Sequence, residues 1–302
     1  RYQDAFGITA QRYWCPPANV EDFASFVQAV VERYDGDGID DAPESPRIAV
    51  WQIWNEPNHW ETWPGSATEY GELLKAGYAA VKAADPTALV VTAGLYVLDG
   101  QSVSDERGCT CHKDGLYFFE QALQAVPDAW NRFDILAIHP YMPFDAPDSP
   151  GILAKVTLWG RLATSHNWLQ DQTQQRGGPV RPTWITEIGW ITCSEGQAAH
   201  LAKSADALQR YRIPAKYRAD NSASLNADNL CKTEQQQSDY LLRAHAIASA
   251  WGIQHVNYHQ LEDKFDTHAR DIWQATAILK TRAQNYAPKT AYGAYTVLTR
   301  EL

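Results

Sequence analysis

Trp51-Gln52-Ile53-Trp54-Asn55-Glu56-Pro57-Asn58 and, further along, Thr183-Trp184-Ile185-Thr186-Glu187-Ile188-Gly189-Trp190 are the stretches that decide the fold. Each is a short apolar run of strand type that ends on an acid. Burying a carboxylate without partners is costly. An acid in that position therefore belongs at the open carboxyl end of a strand, the end on which α/β barrels build their sites.

Outward from the first stretch, the strand reads from Ile48 to Trp54. Before it, Phe23, Phe26, Val27, Val30, Val31 and Tyr34 recur at helical spacing, with Asn19 placed to cap the first turn and Gly36 to close the helix. After it, Thr68 to Ala84 carries Tyr70, Leu73, Leu74, Gly77 and Val81 on one face, and Asp85-Pro86 ends it. Further strands are expected at Ala88 to Ala93, Phe133 to His139, Thr183 to Glu187 and His255 to His259. Helices are expected near Gly115 to Ala125, Leu153 to Asp171, Gln235 to Trp251 and Thr290 to Leu298. Strand and helix in alternation imply a parallel sheet, and right-handed crossovers curl successive units the same way, towards a (β/α)8 TIM barrel. One α/β domain over residues 1 to 302 is the expected organisation. Five strands are read where a barrel needs eight, so roughly three N-terminal units are expected to be missing. Two long connections, Tyr96 to Asp114 and Ile191 to Glu234, follow strand carboxyl ends and read as lids.

A formal net charge of -10 and the lack of a basic run oppose binding to nucleic acid, whose affinity rests on Lys and Arg neutralising phosphates. No stretch has the apolar length of a membrane span. The five cysteines show no zinc spacing; Cys109-Thr110-Cys111-His112 fits no common structural zinc pattern, and Cys193 with Cys231 is a candidate disulfide. No metal site is expected. The chain opens without a signal peptide, which a mature secreted protein would have lost, and we read it as secreted or extracytoplasmic. Twelve Trp and fifteen Tyr exceed the needs of a core this size. Most read as core, but Trp60, Trp63 and Trp190 lie on loops after strands and are candidates to stack on sugar rings, whereas Trp54 and Trp184 read as wall residues.

Two strand ends facing one mouth suit glycoside hydrolysis. One carboxyl donates a proton to the leaving oxygen while the other attacks the anomeric carbon; a separation of about 5 to 5.5 Å favours retention, about 6.5 to 9.5 Å admits a water and inverts. Their environments must differ, with burial raising the acid's pKa and hydrogen bonds keeping the nucleophile ionised. Asn-Glu-Pro alone is a common turn or helix start; its partner motif at Glu187 gives it weight. Glu195, Glu262 and Asp263 read as solvated acids.

Trp54-Asn55-Glu56-Pro57 and Thr186-Glu187-Ile188-Gly189-Trp190 together resemble clan A glycoside hydrolases, in which the acid/base follows an Asn on strand four and the nucleophile ends strand seven. The resemblance extends to Pro16-Pro17-Ala18-Asn19 before a helix, Ala84-Asp85-Pro86 before strand five and His139-Pro140-Tyr141 after strand six, and is strongest to family 39, which includes bacterial exopolysaccharide endoglycosidases. It implies that the chain shows strands four to eight. It also implies Glu56 as acid/base, Glu187 as nucleophile, Asn55 as donor to the hydroxyl beside the reacting carbon, Tyr141 as the residue that holds the nucleophile, and His139 against the sugar or the acid/base. A satisfied strand-end histidine is the competing reading of His139. Where many clan members carry a Trp at the last strand, Asn257-Tyr258-His259-Gln260 stands here, which makes Tyr258 the substrate-facing candidate.

The expectation is thus a retaining hydrolase of β-linked glycosides or polysaccharide acting by double displacement without cofactor, with an oligosaccharide or polysaccharide as its partner. The alternatives are a family 5-like glucanase or mannanase and a carbohydrate-binding barrel without turnover.

Overall fold

The computed structural model of the protein describes residues 15–59, 62–97, 114–142, 145–149, 156–192, 232–263 and 275–301. The lids, the Cys109-Cys111 stretch and the Cys193–Cys231 pair expected from the sequence lie outside these residues, as do Trp60 and Glu195. No helix among the described residues is long and apolar enough to cross a membrane. The chain divides into two compact units, Arg1–His139 with Thr164–Ile185 and Pro140–Ala163 with Thr186–Leu302.

In the first unit, α1 (Val20–Glu32) starts where Asn19 accepts a hydrogen bond from the Glu21 N–H, and Glu21 and Asp22 face the positive end of the helix dipole. It buries Val27 and Val31; Phe26, read with them as one face, stands 63% exposed. β1 (Val50–Gln52) leads to α2 (Ala67–Ala84), which begins with a capping box between Ser66 and Glu69 and ends at Asp85. Tyr70, Leu73, Leu74 and Val81 of α2 are buried, each aliphatic contributing about 1.5–3 kcal/mol. β2 (Leu89–Val91) pairs in parallel with β1, Trp51 opposite Val90.

The single strand expected at Ala88 to Ala93 stops at Val91, and a further strand, β3 (Leu95–Tyr96), follows a break at Thr92-Ala93 and a bridge at Gly94. After α3 (Gly115–Ala125), capped by Asp114, comes β4 (Leu136–His139), buried along its whole length. β4 pairs in parallel with β3 and with β5 (Thr183–Ile188), and Val91 bridges Ile135, so β2 and β3 together lie between β1 and β4, with β5 beyond. That is the order a barrel requires. An aromatic core of Tyr70, Phe118, Phe119, Phe133, Trp130 and Trp168 fills the space under the helices.

α4 (Leu158–Arg176) begins in the second unit and runs on into the first; it ends five residues beyond the expected Asp171. The second unit also holds the last half of β5, α5 (Glu234–Ala250) with a capping box between Thr233 and Gln236, β6 (Val256–Tyr258) and α6 (Thr290–Glu301). Ile188 O accepts from His259 N–H at 2.9 Å, which joins the end of β5 to the end of β6. Leu241, Ile278 and Ala291 form the centre of its core, with Tyr258, Tyr295 and Leu298 packed against them. Asp263, read as solvated, instead pairs with the buried Lys289 at 2.6 Å, and Lys289 also donates to Thr192 Oγ1 at 2.8 Å.

Candidate active site

Glu56 lies four residues beyond β1, on a segment that stays paired because Asn55 bridges Gly94 and Glu56 N–H donates to Gly94 O at 3.0 Å. Trp54 and Glu56 both hold positive φ, 77° and 44°. Such backbones cost about 1–3 kcal/mol each in a residue with a side chain and persist only where the surroundings over-determine them. The surroundings do so here. Trp54 Nε1 donates to Thr62 O at 3.0 Å, Thr62 Oγ1 donates to Glu56 O at 2.6 Å, and the Asn58 side chain both donates to Tyr96 O and accepts from Tyr96 N.

His139, the last residue of β4, is fully buried, and its Nδ1 lies 2.8 Å from Glu56 Oε1. An ionised carboxylate only accepts, so with Glu56 ionised this bond places the imidazole proton on Nδ1. Nε2 faces Gly94, where an added Cβ would fall 1.9 Å from it. The missing side chain at Gly94 is therefore what makes room for the imidazole. Sequence reasoning missed Gly94; its signal was a glycine directly after the strand expected at Ala88 to Ala93, where glycine can mark a close approach.

Glu187, on the second-last residue of β5, is partly buried, and Tyr141 Oη donates to its Oε2 at 2.7 Å. Tyr141 is itself buried, lies edge-on to the His259 ring with centroids 6.2 Å apart, and accepts at its backbone oxygen from Arg161 Nη1 at 3.0 Å. Arg161 carried no signal in the sequence beyond a charge inside the helix expected at Leu153 to Asp171.

The remaining candidates fall unevenly. Asn55 is exposed beside Glu56. Trp190, expected to stack on sugar, has no exposed surface: its Nε1 donates to Asp145 O at 2.8 Å, its carbonyl accepts from Gln237, and Tyr240 covers its ring edge-on. It braces the wall behind Glu187. Trp63 is likewise 2% exposed, wedged between Trp54 and Tyr70. The Tyr258 hydroxyl is turned inward, accepting from Trp190 N at 3.4 Å, and burial pushes it far above the usual tyrosine range, so it stays protonated. Its hydroxyl is thus a brace, while the residue as a whole is only partly buried. Gly189 is needed between these braces, since a Cβ there would stand 2.4 Å from His259 O.

In the first unit, a cluster of acids among the described residues offers oxygens to a cation. Glu32, Asp35 and Asp37 bring carboxylate oxygens within 4.8 Å of one another at the end of α1. Asp35 and Asp37 already accept from backbone N–H groups of the same turn, as does the neighbouring Asp41.

No family model matches the chain, and no curated protein matches it in sequence. Solved structures do. A family 39 glycoside hydrolase from the gut symbiont Bacteroides cellulosilyticus WH2 matches with a TM-score of 0.55 at 16% identity, over 98% of this chain and 46% of the other. A GH39 β-xylosidase from Caulobacter crescentus matches at 0.55 and 16% identity over 95% and 48%, and the GH53 catalytic domain of Ignisphaera aggregans at 0.52 and 14% over 98% and 70%. The chain spans about half the length of the family 39 structures. Its fold is that of a family 39-like glycoside hydrolase, parallel strands and helices forming part of a (β/α)8 barrel.

Proposed function

We propose that the chain is a retaining glycoside hydrolase acting on β-linked glycosides or polysaccharide, with Glu56 as acid/base and Glu187 as nucleophile. One observation carries the assignment: the two carboxylates have different partners, Glu56 the His139 imidazole at 2.8 Å and Glu187 the Tyr141 phenol at 2.7 Å. The phenol donating to Glu187 Oε2 fixes one oxygen of the carboxylate and leaves the other to attack. The imidazole beside Glu56 can exchange a proton with it, which suits a group that is acid in the first step and base in the second. In the first step, Glu187 Oε bonds to the anomeric carbon as the glycosidic C–O bond breaks and the Glu56 proton passes to the leaving oxygen. In the second, Glu56 takes a proton from water, whose oxygen displaces Glu187. Exposed Asn55 is the donor proposed for the hydroxyl next to the reacting carbon.

A panel of aryl β-glycosides, with β-xyloside first because a GH39 neighbour is a β-xylosidase, tests the reading. The first-formed sugar should keep the β configuration in proton NMR, and Glu187→Gln should lower kcat by about a hundredfold or more. In Glu56→Ala, azide should restore turnover of an activated substrate and yield the β-glycosyl azide. Full activity in Glu187→Gln sinks the assignment, and an inverted first product sinks double displacement. Glycan binding by calorimetry with no cleavage of any panel member would leave a carbohydrate-binding barrel.

A further inference from the structure

Tyr141 stands in the loop after β4, and loops hold a functional group less sharply than helices or strands do. What fixes it comes from outside the loop. Arg161, in the first turn of α4, is 2% exposed, and its Nη1 donates to Tyr141 O at 3.0 Å. The same turn is tied to the loop again where Leu158 N–H donates to Pro147 O at 2.9 Å, and Trp190 Nε1 holds Asp145 O from the other side. Burying a guanidinium is costly, and an apolar residue would fill the helix–loop contact more cheaply. Its planar, rigid fork is suited to clamping a carbonyl in one place.

We propose that Arg161 is a positioning residue: through the Tyr141 carbonyl it fixes the phenol whose hydroxyl donates to Glu187. The proposal rests on the reading of Glu187 as nucleophile only for its effect on rate. Without the clamp the loop backbone relaxes, the phenol drifts from Oε2, and a displacement of about 1 Å at a reacting group can cost about a hundredfold.

The experiment uses wild type, Arg161→Met, Tyr141→Phe and the double variant. The first readout needs no substrate: with tyrosine labelled at Cζ, the Tyr141 resonance, assigned by its loss in Tyr141→Phe, moves in Glu187→Gln, and we expect Arg161→Met to move it the same way. The second is turnover of the aryl glycoside. Arg161→Met should lower kcat about tenfold to a hundredfold with KM changed by less than about twofold, and on the Tyr141→Phe background the same change should cost under about threefold. An unmoved Tyr141 resonance in an Arg161→Met protein that melts as wild type does, or effects that multiply in the double variant, would overturn the proposal in favour of a purely structural role. If Arg161→Met does not fold, Arg161→Lys, which keeps the charge and loses the fork, is judged by the same two criteria. If no glycoside is turned over by any of the proteins, the resonance decides the positioning claim and the hydrolase reading fails separately.

Discussion

Gly94 shows how tightly the half-site around Glu56 is built. A methyl group there would sit 1.9 Å from His139 Nε2, and His139 is fully buried, so the ring has nowhere to go without leaving Glu56. Gly94→Ala should therefore cost about 1–3 kcal/mol of stability through overpacking. It should also lower kcat/KM on an aryl glycoside about tenfold or more by breaking the imidazole–carboxylate bond. Urea unfolding and steady-state kinetics on the same protein check both, and an Ala variant with wild-type kinetics would show that His139 does not serve Glu56. The placement of Glu56 after β1 and of Glu187 at the end of β5 was legible in the sequence because an acid following an apolar run is chemically conspicuous. The aromatic roles were not. Trp190 and Trp63 follow strand ends as a sugar platform would, and only three-dimensional packing reveals that both rings are enclosed.

Among the elements, the helices were readable to within about five residues because caps and apolar spacing are local properties, as at Asn19 before α1. The separate short strand β3 was not, since Leu95-Tyr96 lies beyond the strand expected at Ala88 to Ala93 and is too short to show a period of its own. Nor was the segment from Ala275 to Lys289, which is fixed by long-range bonds from Gln237 and to Asp263 instead of by any period of its own. Lys289 and Asp263 illustrate the cost of such a device: removing one member of a buried ion pair leaves the other uncompensated. Lys289→Met should destabilise by about 3–5 kcal/mol, with much of that recovered in Lys289→Met/Asp263→Leu; equal melting of the two variants would contradict the pairing. Between α5 and α6, His245 Nδ1 lies 2.9 Å from Leu241 O and its ring stands edge-on to Tyr295. Burial lowers its pKa below the usual 6.5. The unfolded chain then binds the proton more readily than the folded one. This contribution is complete above pH 6.5, and stability falls as pH drops through 6.5 towards the lowered folded value. Thermal melts of wild type and His245→Gln between pH 7.5 and 5 should diverge, with the wild type losing more; parallel curves would mean that His245 is charged at no cost in the fold.

At the scale of the whole chain, strand–helix alternation in parallel register was the most legible feature, because it depends on many residues at once and survives errors at any one boundary. Charge is the other property that belongs to the molecule as a whole. With 26 Lys and Arg against 36 Asp and Glu, the chain carries -10 at neutral pH. A polyanionic glycan approaching it meets a repulsive field, whereas a neutral glycan feels none. The field is screened over about 10 Å at 0.1 M salt and about 3 Å at 1 M. For a hydrolase of this charge, kcat/KM on a neutral β-glycan should stay within about twofold as salt rises from low to 0.5 M, and on a uronic-acid polymer of matched linkage it should climb with salt. A kcat/KM on the anionic polymer that falls steeply with salt would mean the opposite: a local basic surface recruits it, and net charge does not describe the cleft.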